Sequence, residues 1–193
     1  MRIRQLSLLG ACCLLTLSAR AAEIEVEWDL FDHASNTDVP VHRSSEEIDA
    51  SSITFSPRII PSPNILDAIA AAGWSSSPLA DSRFFSFTLG STGPAIDLSR
   101  FELAARRVNH KAPSRLTIRA SRDGFESYLL IYEGELNDLE AHDISIDLSQ
   151  FESFRSLRGY VEFRIYGGEH SSGSGVLALQ NHSKARSIRI LAD

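Results

Sequence analysis

Period-two alternation is the feature that most constrains what this chain can fold into. RFFSFTL (Arg83–Leu89), RFELAARRV (Arg100–Val108) and RLTIRAS (Arg115–Ser121) place apolar and polar side chains on opposite sides of an extended backbone. IEVEWDL, SYLLIYEG, HDISIDL, YVEFRIY, GVLALQ and SIRIL follow the same rule, with Gly, Pro, Asn, Asp or Ser between them. Successive side chains of a strand point to opposite faces, so such runs read as half-buried strands. Roughly nine or ten of them at short spacing predict an all-β chain: an antiparallel β-sandwich, jelly-roll-like.

Two stretches break the pattern. NILDAIAAAGW (Asn64–Trp74) carries Ile65, Leu66, Ile69 and Ala72 at helical spacing, with Asn64 as an N-cap and Gly73 as the residue after the helix. That spacing predicts a short helix. SQFESFRSL (Ser149–Leu157) repeats Phe151, Phe154 and Leu157 every third residue and predicts a helical turn. The expected fold is therefore a sandwich with one or two short helical turns.

The stretch RLTIRASRDGFESYLLIY (Arg115–Tyr132) reads as two strands joined at Asp123-Gly124. Gly124 supplies the positive φ that a tight corner requires, and Phe125 is expected to pack back under it. The motif is explained by turn chemistry alone, although it also presents a polar surface.

The N-terminus suggests a destination. Arg2 and Arg4 precede an apolar run from Leu6 to Leu17, and Ala19 and Ala21 follow in an A-x-A arrangement. This is the pattern of a secretory signal peptide over residues 1–21, too short for a spanning helix. Export is expected, to the extracellular space, the cell surface or the periplasm, with residues 22–193 as a single domain. Cys12 and Cys13 both lie in this leader. Lipidation of Cys12 in LGAC would leave too short an apolar core. The exported chain then has no disulfide and needs a core large enough to stand without one. Without Arg2, Arg4 and Arg20 the balance is 16 basic against 25 acidic residues. Such an acidic chain is a poor partner for nucleic acid, and no later apolar run suits a membrane span.

The order of motifs resembles a known family. EWDLF, IDASSITFS, AAGWSSS, SRFFSFTL, IDLSRFELAARRV, SRLTIRASRDGF, SIDLSQF and VEFRIYGGEHSSGSGVLAL follow one another from about Glu27 to Leu179. The series resembles the exported β-sandwich domain of bacterial PEP-CTERM surface proteins. That resemblance implies the sandwich, export, and association with cell-surface or matrix material. SIRILAD stands where that family carries a Pro-Glu-Pro motif and an apolar helix, so its anchoring is not carried over.

Chemistry is sparse. The six histidines lie in separate places, no serine sits in a G-x-S-x-G elbow, and no cysteine follows the leader. Carboxylates are plentiful, but none is flanked so as to raise its pKa, so no enzyme is expected. Zinc spacing is absent. Asp29, Asp32 and Asp38, with Asn36, offer the oxygen ligands calcium prefers, so calcium is the one cofactor admitted as a candidate. A sugar site needs an aromatic platform beside planar polar groups. Trp74 is the candidate platform, with Arg107, His110 and Arg164 as polar partners. The expected function is a non-catalytic surface or matrix module whose partner is extracellular polysaccharide or a surface protein. The alternatives are a polysaccharide-active hydrolase and a purely structural protein-interaction module.

Overall fold

The computed structural model describes residues 24–33, 37–62, 64–74, 82–169 and 173–193. The expected signal peptide, Asn36, the SSSP segment and His170 lie outside the described residues.

Fourteen strands are described. The first seven are β1 (Ile24–Trp28), β2 (Arg43–Ser44), β3 (Ile48–Ala50), β4 (Thr54–Phe55), β5 (Ile60–Pro61), β6 (Ala68–Ala72) and β7 (Phe84–Ile96). The rest are β8 (Leu98–Arg107), β9 (Arg115–Ser121), β10 (Leu129–Glu135), β11 (His142–Asp147), β12 (Leu157–Gly168), β13 (Leu177–Gln180) and β14 (Ile188–Ala192). A single 3₁₀ turn, Glu152–Phe154, lies between β11 and β12 and fulfils the expectation for SQFESFRSL.

The strands form two antiparallel sheets. The first runs β2-β1-β14-β8-β13-β6-β5, with β11 on the other side of β8. The second runs β10-β9-β12-β7-β3, with β4 also on β7. From β6 onward the chain alternates between sheets: β6 first, β7 second, β8 first, β9 and β10 second, β11 first, β12 second, β13 and β14 first. This repeated crossing gives the jelly-roll-like sandwich that alternation predicts.

The inward-facing residues of both sheets meet in one core. Trp28 of β1 and Phe101 of β8 come from the first sheet, Phe87 of β7 and Phe163 of β12 from the second. Ring centroids are 4.6 Å apart for Trp28–Phe87, 5.0 Å for Phe87–Phe163 and 5.7 Å for Phe101–Phe163. All four are fully buried. Each such pair adds about 0.5–1.5 kcal/mol beyond the area it buries.

The helix expected over 64–74 is not formed. Ala68–Ala72 is a strand, paired with β13 on one side and β5 on the other. Asn64 (φ 71°) and Asp67 (φ 54°) are left-handed turn residues rather than a cap and first turn. Ala68, Ala70 and Ala178 pack on one face while Ile69 and Ala71 join the core, so the strand is buried on both sides. Burial on both sides erases the alternation that marks the other strands.

The outer face of the first sheet carries a ladder of charges, one residue per strand. Arg43 of β2 lies 3.5 Å from Glu25 of β1, and Arg189 of β14 donates to Glu25 and to Glu102 of β8 at 2.7 Å each. Ser145 of β11 donates to the other oxygen of Glu102 at 3.3 Å. Burial pushes the Glu102 carboxyl up, but the Arg189 guanidinium outweighs it and holds the group below its ordinary value.

Candidate functional site

The connection between β9 and β10 is wider than a two-residue corner. Strand β9 ends at Ser121 and β10 begins at Leu129, so residues 122–128 form a loop. Gly124 (φ 72°) and Phe125 (φ 68°) are consecutive left-handed residues. For phenylalanine that conformation is strained and must be held by its surroundings. The Ser121 hydroxyl accepts from the N–H of Phe125 at 2.9 Å and of Asp123 at 3.2 Å, and donates to Asp123 Oδ1 at 2.7 Å. Ser127 closes the loop by donating its hydroxyl to Asp123 Oδ2 at 2.5 Å and its N–H to Oδ1 at 3.1 Å.

These donors fix the Asp123 carboxylate. Hydrogen bonds from Ser127, then from Ser121, pull its pKa down to about 2 from the ordinary 3.8. The folded value is depressed, so the contribution of this group to stability is present above pH 3.8 and lost as pH falls toward 2. An NMR titration following the Ser127 amide is expected to show one inflection near pH 2 and a loop unchanged between pH 7 and 4. An inflection near 4 would mean the network does not hold in solution.

Phe125 does not tuck beneath the corner. It lies on the outer face of the second sheet, where a closed ring of side chains forms. The Arg164 guanidinium sits 3.8 Å from the Phe125 centroid and 4.3 Å from that of Phe84. Phe84 meets Tyr166 at 5.6 Å, and Arg119 lies 4.8 Å from Tyr166 and 4.3 Å from Tyr128. Tyr128 stacks on Phe125 at 6.4 Å, closing the ring. Arg119, Arg164 and Tyr166 share this face because their positions on β9 and β12 have the same parity. Cation–π contacts of this kind contribute about 0.5–2 kcal/mol each, more when shielded from water.

Beside this ring the loop roofs a cleft of about 280 Å³. Ala120, Leu129, Phe154 and Val161 line it with apolar surface, and Ser121, Arg122, Asp123, Ser127, Tyr128 and Ser153 supply its polar groups. Tyr128 is 50% exposed and lines the cleft, with the Arg119 guanidinium 4.3 Å from its ring centroid. Arg122 is held in place by donating to the Arg158 carbonyl at 2.9 Å.

The residues expected to form a sugar site are not gathered there. Trp74 is 1% exposed, sits edge-on to Phe85 at 5.3 Å and donates its Nε1–H to the Ala71 carbonyl at 2.7 Å. It is a core residue and cannot serve as a platform. Arg107 has the inward parity of Leu103 and Ala105, and ties loops at the sandwich end by donating to the carbonyls of His110 at 2.6 Å and Leu136 at 3.4 Å. His110 joins that arrangement through its backbone, with the side chain exposed. Arg164 alone of the four reaches the ring described above, paired with Glu162 at 2.6 Å.

The calcium candidates are also dispersed. Asp29 Oδ1 accepts from the Phe31 N–H and from Asn181, Asp32 is a left-handed turn residue, and Asp38 is exposed. Among the described residues no group of three or more His, Cys, Asp or Glu side chains converges on a metal position. No helix among them is long and apolar enough to cross a membrane.

The alternation that locates the strands could not reveal Tyr128, which falls in the loop, or Asp123 as a fixed acceptor. The available signal was the spacing of Ser121, Asp123 and Ser127, which lets two hydroxyls reach one carboxylate.

No protein-family model and no curated protein matches this chain. Among solved structures, a mutant of the family 29 carbohydrate-binding module CBM29-2 complexed with mannohexaose aligns at a TM-score of 0.42 and 7% identity, over 88% of this chain and 92% of that one. Another family 29 carbohydrate-binding module aligns at 0.41 and 8%, over 87% and 88%. A further CBM29-2 mutant gives 0.42 and 8%, over 87% and 92%. Each is a likeness in outline between chains of almost unrelated sequence.

Proposed function

We propose that this chain is an exported, non-catalytic β-sandwich module that binds carbohydrate in the cleft under the 122–128 loop. The observation that carries this reading is the half-exposed Tyr128 ring standing beside a fixed, ionised Asp123 carboxylate. The apolar face of a pyranose stacks on an aromatic ring, while its hydroxyls donate to a carboxylate and accept from a guanidinium. Tyr128, Asp123 and Arg122 supply those three contacts at one cleft.

The same geometry favours binding over hydrolysis. Glycoside cleavage uses two carboxyl groups, one of them protonated near neutral pH. Asp123 is the one carboxylate lining the cleft among the described residues, and a group titrating at about 2 has no proton to give. The A-x-A leader supports export to a compartment where polysaccharide is met.

The test is retention of the chain from Ala22 onward on a glycan array and on insoluble polysaccharides. Tyr128→Ala is expected to weaken binding about tenfold or more, as loss of an anchoring aromatic does, in a chain that still folds with a modest fall in melting temperature from the lost Arg119 contact. Retention on no carbohydrate, or undiminished retention by the variant, would sink the reading.

A further inference from the structure

A second recess lies on the other sheet, where the segment after β1 meets the segment after β13. It encloses about 470 Å³, lined by Asp29, Phe31, Asn181, His182, Ser183 and Arg186, and shares no residue with the hairpin cleft. The volume is within the ~300–1,000 Å³ range of small-molecule sites. We propose that this recess is a second binding site, built for the uronic acid unit of an acidic polysaccharide.

Four features converge there. Phe31 is 73% exposed, the most open of the large apolar side chains, and its N–H is anchored to Asp29 Oδ1 at 2.9 Å. An aromatic ring so displayed at the lip of a recess is a stacking surface rather than a stray core residue.

Asn181 grips the same segment. Its Oδ1 accepts from the Leu30 N–H at 3.1 Å and its Nδ2 donates to Asp29 Oδ1 at 2.9 Å. Asp29 and Asn181 both line the recess and, among the described residues, no hydrogen bond uses Asp29 Oδ2 or the second amide hydrogen of Asn181. Adjacent hydroxyls on a sugar ring present the complementary donor and acceptor. Hydrogen bonds from Phe31 and Asn181 hold Asp29 below its ordinary value despite the opposing pull of burial, so the acceptor stays ionised.

The loop that carries Arg186 is held by hydrogen bonds. Ser183 donates its N–H to Asp143 Oδ1 at 2.9 Å and its hydroxyl to Oδ2, pinning the 181–187 loop to β11. His182 and Ser187 bridge, and the Arg186 N–H donates to the His182 carbonyl at 2.8 Å. Arg186 itself is left-handed (φ 58°), a conformation that a non-glycine residue holds only where its surroundings impose it. Its exposed guanidinium has no ion-pair partner among the described residues.

These features select a charged ligand. The chain carries a net charge of −6, so an anionic sugar is repelled by most of its surface. Arg186 is the one arginine lining the recess and sets a cation beside the stacking ring and the hydroxyl-reading pair. Arginine also offers a planar fork that pairs with a carboxylate through two bonds.

The proposal stands apart from the hairpin cleft and is tested separately by two-dimensional NMR. Trigalacturonate is titrated into the labelled chain, with the neutral galactose trimer as the matched control. Shifts at residues 29–31 and 181–186, larger for the uronide, are the expected result, and they persist in a Tyr128→Ala background. Phe31→Ala is expected to lower uronide affinity tenfold or more. Arg186→Ala is expected to erase the preference for uronide over neutral sugar, with Arg186→Lys restoring part of it. Shifts confined to residues 121–129 would uphold the hairpin cleft and overturn this site. Uronide binding at 29–31 and 181–186 that survives both alanine variants would overturn it equally.

Discussion

Phe163→Ala is expected to destabilise the fold by about 3–5 kcal/mol, the usual result of removing a fully buried phenylalanine. Phe163 stacks on Phe87 at 5.0 Å and on Phe154 at 5.9 Å, and meets Phe101 edge-on at 5.7 Å. It is the ring at which both sheets and the 3₁₀ turn converge, so no neighbour can move in without losing its own contacts. A domain of this size loses roughly 2–4 °C of melting temperature per kcal/mol, giving a fall of about 10 °C. Denaturant unfolding measures the same quantity. A loss below about 1 kcal/mol would mean that the core relaxes around the cavity and is not packed as described. Phe154, which stacks on Phe163, also lines the hairpin cleft, so the proposed sugar binding there should weaken along with stability.

Arg189→Ala has the second large effect, through electrostatics. It strands Glu102, 6% exposed, without its principal counter-charge. Breaking a buried pair costs about 3–5 kcal/mol, and the partial exposure of Arg189 points to the lower end. The pH dependence supplies the sign. In the parent chain Glu102 is held below its ordinary 4.5, so its contribution is present above pH 4.5 and lost on acidification. Without Arg189 the largest lowering influence is gone, Arg100 at 3.8 Å and His182 are left to oppose burial, and the folded value rises. The variant therefore gains relative to the parent as pH falls, and the gap between their unfolding free energies should narrow from pH 7 to pH 4. A gap that stays constant would show that Arg189 acts through packing alone. The double variant Glu102→Gln with Arg189→Met should recover part of the loss, because it removes the stranded charge.

Much of the sandwich could be read from the sequence because one-sided burial writes alternation into each strand. Val26 and Trp28 on β1 and Phe85, Phe87 and Leu89 on β7 are buried as that pattern requires. Ala68–Ala72 was not legible, since strand pairing on both edges and packing on both faces left a uniformly apolar run. Alanine favours helix in isolation, and here β5 and β13 override it. The site was harder still. A tryptophan beside serines looks like a platform, but Trp74 satisfies its indole N–H within its own turn and turns its ring inward. Tyr128 is identified only by where the loop sets it down, and that depends on left-handed Phe125 reaching Arg164. Arg164 was legible as a candidate polar partner, but it lies on the outer face, paired with Glu162 and set against Phe84 and Phe125.

The two outer faces are held by different forces, and this divides the molecule's response to its surroundings. The ladder of the first sheet runs through carboxylates, so acid can dismantle it rung by rung. On the second sheet the guanidinium groups of Arg119 and Arg164 lie against aromatic faces, and Arg164 also pairs with the Glu162 carboxylate. No cysteine follows Cys13, so no thiol chemistry bears on either face. Acidification should therefore loosen the ladder of the first sheet more than the aromatic ring of the second. The edge bearing β2 and β1 frays first, taking the Asp29–Phe31 recess with it, while the roofed cleft keeps its shape until the pH falls toward 2 and Asp123 takes up a proton.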